Sequence, residues 1–459
     1  MLYTKNLETK GSYDVVVCGG GFSGFAAAFS AAREGLKVLL VESGTCLGGV
    51  GTAGMVNHLL GARTVDSKLD IYQCIKGLYT QIEKRLLECD GAIDVNTVDL
   101  NLPPHGWAAV LGAGLIFDNE KMKLVLETML GEVGAEILYL THVVDVINEA
   151  GTVRGIVVQN KSGMYVIEGR YFVDATGNGD LCRFAGCKLL KGDEDGGMAA
   201  ASLEMHLENV DYEELQEYMA KTKDLRFRNL IGGLKEKGEW KFPYEIFISV
   251  MLTKKDVFMI NTIRQVGIDG TDAHSLTAGI IDGRKENFEL FEIARKHFPG
   301  FKNARIRSIA PMIGIRETNR IEGEYVLTVD DLIEGTDFGD TIALSAYGWD
   351  MPNPKHPSYQ PYHGVKRKSE YTQIPYRCLV PKDLNNVITA GRCISVEREV
   401  LGPVRVMCVC VAMGEAAGIA TAMALKDNLS YKNVDIKALQ EEIANNGGYV
   451  HLNQITQEN

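Results

Sequence analysis

The stretch Val15–Ser43, VVVCGGGFSGFAAAFSAAREGLKVLLVES, limits the fold of this 459-residue chain more than any other part of it. An apolar, β-branched run at Tyr13–Cys18 ends in glycines, an alanine-rich helical run covers Ala26–Arg33, and Lys37–Val41 is again strand-like. This is the pattern of a βαβ unit of about thirty residues. Gly19, Gly21 and Gly24 place G-x-G-x-x-G between the first strand and the helix. The first glycine permits a tight turn, the second lets a pyrophosphate approach the backbone, and the third lets helix and strand pack closely. The helix start, with Phe22 and Ser23 in its first turn, offers unpaired N–H groups to phosphate. Glu42 closes the second strand 18 residues after Gly24. A carboxylate there accepts ribose hydroxyls, with Ser43 beside it. A second match, GVGTAG at Gly49, Gly51 and Gly54, has no strand before it and is not read as another nucleotide site. Gly48, Gly49 and Thr52 are instead expected to line the first.

The 49 glycines exceed the usual share of about 7%, and such an excess suits a chain whose backbone must approach a buried cofactor. A net charge of −12 argues against nucleic acid or an anionic membrane as partner, since phosphate binding calls for a basic surface. No apolar run reads as a membrane span and the N-terminus has no apolar signal core, so a soluble, cytoplasmic protein is expected. The ten cysteines contain no C-x-x-C pair. They read as free thiols in a reducing compartment, with no metal site.

Further along, helices are expected over Ile71–Glu88 and Asn119–Val133, separated by the breaker LPPHGW. Short β-rich runs from Glu136 to Asp174, with turns at NEAGT and NKSG, predict a small antiparallel sheet. Near the end, NNVITAGRCIS reads as a strand and glycine turn. GPVRVMCVCVAMGEAAGIATAMAL reads as one long buried helix with Pro403 in its first turn. The expected fold class is α/β: a Rossmann-like dinucleotide-binding domain of parallel plus small antiparallel sheet, with an inserted α+β substrate domain. The boundaries are 1–201 and 374–459 for the first, with an excursion at about 61–114, and 202–373 for the second.

No second strand–G-x-G-x-x-G–helix unit follows Glu42; the chain makes a glycine-rich segment and a long excursion before YFVDATGNGD. Together with CGGGFSGFAAAFSAAREGLKVLLVE, IGIRETNRIEGEY, AGRCIS and RVMCVCVAMGEAAG, this resembles the FAD-dependent oxidoreductases of the glutathione-reductase-like superfamily, over nearly the whole chain. The resemblance implies non-covalent FAD, with Ala175, Thr176 and Gly177 beside it. Gly391, Arg392 and the helix from about Val404, hence Arg405, Val406 and Met407, would close over its ribitol and ring, and Val143 would line the adenine pocket. Many relatives carry aspartate where Arg392 stands, so contacts there are expected to run to phosphate or substrate.

Flavin performs hydride transfer itself, and the protein orients and handles protons. GIRETNRIEGEY gathers Arg316, Glu317, Arg320, Glu322 and Glu324. Arg316 reads either as a ligand for an anionic or hydroxyl-rich substrate or as part of an internal ion-pair network; the latter reading is preferred for Glu322 and Glu324. The proline-rich loop AYGWDMPNPKHPSYQPYHG carries Tyr347, Trp349, Asp350, His356, Tyr359, Tyr362 and His363. His356 is the candidate general base and Asp350 its orienting or substrate-binding partner, weighed against a packed surface loop whose aromatics serve the core or a subunit contact. His58 is weighed as a covalent flavin attachment point against a structural histidine, His274 as a helix cap, and Cys393 as a thiol near the ring. The expected function is hydride transfer between a small organic substrate (a sugar, polyol or amine) and flavin N5, with oxygen, a quinone or a partner protein as electron acceptor. Reduction of an activated double bond and a non-catalytic binding module are the alternatives, and a homo-oligomer is left open.

Overall fold

The computed structural model describes residues 4–100, 104–106, 114–356 and 360–457. The opening βαβ unit forms where the pattern places it: β1 (Thr9–Cys18), α1 (Phe22–Arg33) and β2 (Val38–Val41). Eleven α1 residues, Phe22 to Ala32, are buried, which explains an alanine- and phenylalanine-rich helix with one basic residue at its end. Two further helices follow, α2 (Leu78–Glu88) and α3 (Asn119–Glu132). Helix α2 starts later than expected, because Ile71–Gln73 is a strand, paired antiparallel with Arg63–Val65 on one edge and Thr456–Gln457 on the other. Ile71 and Gln73 are buried and Tyr72 half-buried, a period of two that six residues of apolar text cannot distinguish from a helical turn.

Strands β3 (Glu136–Leu138), β4 (His142–Glu149), β5 (Thr152–Asn160) and β6 (Gly163–Asp174) complete the main sheet with β11 (Val387–Thr389). β3, β2, β1 and β6 run parallel in that order, and β11 is parallel to the end of β6. β4 and β5 form the antiparallel extension, β5 pairing with the first half of β6. The fold is α/β and Rossmann-like, as the sequence indicates.

The middle of the chain builds β7 (Met205–Glu208), β8 (Ser249–Met251), β9 (Phe258–Ile260), α4 (Ala273–His297) and β10 (Arg305–Ile309). These strands form an antiparallel sheet in the order β8-β9-β7-β10. They enclose a separate aromatic core around Phe227, Trp240, Phe247, Phe258, Phe298 and Phe301. The strand pair Thr341–Ser345 and Thr372–Pro375 packs instead into the core of α1 and α3, through Ile342, Leu344 and Ile374.

The last long helix differs from expectation at its start. Pro403 lies in a separate short helix, α5 (Leu401–Val404), and α6 (Met407–Asp427) begins only after an extended Val406 at φ −69°, ψ 149°. By length and composition α6 is apolar enough to cross a membrane, which corrects the reading that no run is. Its apolar window is 72% buried within the protein, however, and it serves as the core partner of α1. A Cβ on Gly414 would stand 2.2 Å from Ser23 O and one on Gly418 2.5 Å from Ala27 O, so the two helices touch backbone to backbone. All ten cysteines are free.

Candidate active site

The turn after β1 is built by close approach. A Cβ on Gly24 would lie 1.8 Å from Gly19 O, so only glycine lets α1 leave the strand at this angle. One on Gly21 would meet nothing within 4 Å. Gly21 therefore keeps clear a space that the fold does not itself fill. It is the N-cap of α1 and has no side chain, leaving first-turn N–H groups at Phe22 and Ser23 uncapped. The Glu42 carboxylate lies beside them, accepting N–H from Gly20 and Gly44 at 2.5 Å each and the Ser43 hydroxyl at 3.2 Å. Leu140 and Thr141 N–H bond to Gly44 O and Glu42 O, which brings the start of β4 and Val143 alongside this turn. Gly48 N–H bonds Gly20 O, and Thr52 Oγ1 donates to Leu47 O, folding the glycine segment back over the cradle. Open space at a helix start, uncapped N–H groups and a neighbouring carboxylate together fit a dinucleotide's pyrophosphate and ribose.

Two helix starts converge here. A Cβ on Gly51 would stand 2.6 Å from Phe22 and 2.8 Å from Met407 Sδ, so this residue lies between the first residues of α1 and α6. No side chain caps α6 either. Asp174, fully buried at the end of β6, accepts from Thr176 Oγ1 at 2.8 Å and Cys182 N–H at 2.9 Å, which fixes the Ala175–Gly177 turn. Arg392 follows Gly391 and closes on this turn: Nε donates to Gly177 O at 2.9 Å, Nη2 to Asn178 Oδ1 at 2.7 Å, and Nη1 to Ile315 O. Its contacts in the protein thus run to backbone and side-chain oxygens of this turn and of the Ile315 segment.

Beyond α6's start is a cluster of charges. Gly61 sits against Val406 and Tyr347, and Gly314 between Ser202 O and Val50, so the segments carrying Arg405 and Arg316 both border the glycine segment. Arg405 Nη2 donates to Asp350 Oδ2 at 2.8 Å and Asp350 O at 2.9 Å. Gln360 donates to Asp350 Oδ1 at 3.0 Å, and the Tyr347 hydroxyl lies 3.4 Å from Oδ2. Burial works to raise the Asp350 pKa, but the charges of Arg405, Arg316 and Arg264 outweigh it and hold the carboxyl below its ordinary value. Arg316 Nη1 donates to Ala200 O at 2.5 Å and, among the described residues, forms no ion pair. Burial, then the like charges of Arg264 and Arg405, lower its pKa to about 9, so it stays cationic at neutral pH. Arg264 Nη1 is held by Ser202 Oγ at 3.2 Å and Asn261 Oδ1 at 3.1 Å. Glu204, 2% exposed, has no hydrogen-bond partner at Oε2. Burial pushes its carboxyl up to about 8 against the pull of Arg316 and Arg264. At neutral pH three guanidinium groups therefore share one ionised carboxylate, with a protonated carboxyl beside them.

The expected His356–Asp350 pair does not form. His356 is exposed, its backbone N–H bonded to Asn353 Oδ1 at 3.0 Å, and Asp350 is engaged by Arg405, Gln360 and Tyr347. Tyr359 lies outside the described residues. His58 is 5% exposed with no partner at Nδ1, and burial lowers it to about 4, so it is a neutral ring. The cap of α4 is Asp272, which accepts Ser275 N–H at 2.7 Å, and not His274. The Cys393 thiol is buried at 3.7 Å from Asp174 O, and burial pushes it well above the ordinary thiol range. Glu317 forms the internal network, with Arg320 and Arg398 at 3.0 Å each. Glu322 pairs with Lys188 and Lys382, and Glu324 with Lys432. Arg264 and Glu204 were not among the sequence candidates. Their signal is a lone charge inside an apolar run, FMINTIRQV and AAASLEMHL, where a solvated face would show several.

Residues 14–443 match the family described as FAD dependent oxidoreductase. Among curated proteins, the chain is 30% identical over 176 residues to digeranylgeranylglycerophospholipid reductase 2 of Methanothermobacter thermautotrophicus, covering 38% of this chain and 42% of that one. It is also 30% identical over 208 residues to thiamine thiazole synthase of Methanococcus aeolicus, covering 43% and 64%. The match thus spans less than two thirds of either relative. Among solved structures, p-nitrophenol 4-monooxygenase from Pseudomonas putida DLL-E4 aligns with a TM-score of 0.49 at 11% identity, covering 92% of this chain and 83% of that one.

Proposed function

The chain belongs to the FAD-dependent oxidoreductase family, with FAD as its cofactor, and from that premise we propose that it moves a hydride between flavin N5 and a small organic substrate held at Arg264, Arg316 and Arg405. The observation that carries this reading is the cluster of half-buried charge near the start of α6, next to the dinucleotide cradle. Gly19–Gly24, Glu42, Ala175–Gly177 and the α6 N-terminus would hold FAD, which supplies two-electron chemistry when bound. Residues 202–373 would provide most of the substrate cover. Asp350 fixes Arg405 by a charge-assisted bond, so that this guanidinium presents a set direction to a ligand. Arg316, with its charge unpaired, is free to bind one. The Glu204 carboxyl, raised by burial and close to both Arg316 and Arg264, can in its protonated form give a proton to a reacting oxygen or carbon.

A second direction is favoured by the same carboxyl. Saturating an activated double bond needs a proton as well as a hydride, and a neutral Glu204 is a donor. The visible spectrum of the purified protein, before and after denaturation and removal of precipitate, tests the cofactor: non-covalent FAD appears in the supernatant. Anaerobic bleaching by candidate donors, and reoxidation of photoreduced protein by enoates, oxygen or quinones, then decide direction and acceptor. A protein that stays colourless when FAD is added counts against both directions and leaves a non-catalytic binding module.

A further inference from the structure

We infer that the substrate carries a carboxylate, and that Arg264 and Arg316 seat it with the Glu204 carboxyl close by; this rests on the reading of the cluster as the substrate site. Three observations support it. The guanidinium of Arg316 has neutral Ala200 O as its partner and forms no ion pair among the described residues, and Arg264 Nη1 is likewise spent on hydroxyl, amide and carbonyl oxygens. Both guanidinium groups are half-buried, and the like charge of Arg264 acts on Arg316, so two neighbouring cations lack a bonded carboxylate among the described residues to offset them. The one ionised carboxylate nearby, Asp350, is already bonded to Arg405. Lastly, Glu204 is 2% exposed with Oε2 unpartnered, the arrangement expected when a bonding partner arrives with the ligand.

A sugar or polyol would leave the positive excess uncompensated, and an amine cation would add to it. A small carboxylate neutralises it, offers two planar acceptor edges to the guanidinium forks, and accepts a third bond from the Glu204 carboxyl. The charges that a ligand would meet are Arg264, Arg316, Arg405 and Asp350, with the Tyr347 hydroxyl 3.4 Å from Asp350 Oδ2.

The test compares acetate, propionate, crotonate and benzoate with their neutral amides, at ionic strength matched with chloride. Binding is read from the flavin difference spectrum of FAD-loaded protein and from the melting temperature of loaded and flavin-free protein. At least one acid is expected to bind where its amide does not. R316Q and R264Q should each weaken that binding at least about tenfold, the loss expected for one charge-assisted bond, and R316K should recover part of it. If no acid outperforms its amide on a protein that binds FAD, the proposal is overturned while the flavoprotein reading stands. If the protein takes up no FAD, that reading fails, and the melting curves of the flavin-free protein still decide for or against the carboxylate.

Discussion

Arg392 and Gly177, 215 residues apart in the chain, are joined by a 2.9 Å bond from a guanidinium Nε–H to a backbone oxygen. The same side chain reaches Asn178 Oδ1 and Ile315 O, so one planar group binds the turn after β6 to the segment that carries Arg316. Lysine has no fork with which to span three acceptors. R392K should therefore cost about 1–3 kcal/mol of stability, the range for buried acceptors left unmatched, and should weaken ligand binding at Arg316. Urea unfolding together with a ligand titration measures both, and an unchanged midpoint would dismiss the clamp.

Gly21 and Gly24 separate two functions of one motif. G24A puts a methyl against Gly19 O and should destabilise the fold by about 4 kcal/mol or more, as overpacking against rigid backbone does. G21A has room, so its melting temperature should match the wild type while FAD affinity falls about tenfold or more, because the methyl occupies the space left for phosphate. Apoprotein melting and FAD titration by fluorescence quenching check the pair. Equal damage to folding by both would show that Gly21 is merely structural.

The proton on Glu204 sets a pH limit. Its carboxyl titrates near 8, so carboxylate binding and turnover should hold at neutral pH and fall as pH rises through that value, when an anion forms beside the ligand. E204Q is neutral at every pH, so its binding profile should lose this fall, while its proton-dependent step slows. A binding profile that falls identically in E204Q would assign the titration to another group.

Glu415 gives the stability counterpart. It lies 2% exposed in α6, accepts Leu78 N–H at 3.1 Å, and approaches Arg33 at 3.9 Å. Burial raises its carboxyl to about 7. A folded-state value above the unfolded one contributes stability that is complete below the unfolded pKa and lost as pH rises through the folded value. The wild type should thus lose up to about 3 kcal/mol between pH 4.5 and 7 from this group. E415Q should remove that part of the slope. Denaturant midpoints at pH 5 and pH 8 would settle it, and parallel curves for both proteins would rule the group out.

The fingerprint, Glu42 and the parallel core of the sheet were legible because each follows a local rule: glycine where backbones touch, a carboxylate at a strand end, β-branched runs between them. The start of α6 was less so, since VRVM continues an apolar helical text and only tertiary packing extends Val406. The charge cluster was half legible. Arg316 and Asp350 stood out in unusual segments, but Glu204 and Arg264 gain their meaning from facing each other across 60 residues of chain, which spacing does not encode. His356 misled because a histidine in an aromatic loop satisfies a composition rule, whereas the loop's course leaves it in solvent.

The pairing of α1 with α6 also governs how the protein is made. Helix α1 emerges from the ribosome early, with eleven residues destined for burial, yet the helix that covers it begins at Met407. For most of synthesis the α1 face at Ser23, Ala27 and Ser30 lacks the helix it packs against, and the glycine turn at its tip lacks the α6 start beside it. Contacts of such sequence separation form slowly and leave sticky intermediates. Chains cut short before Met407 should thus be chaperone clients rather than small flavoproteins.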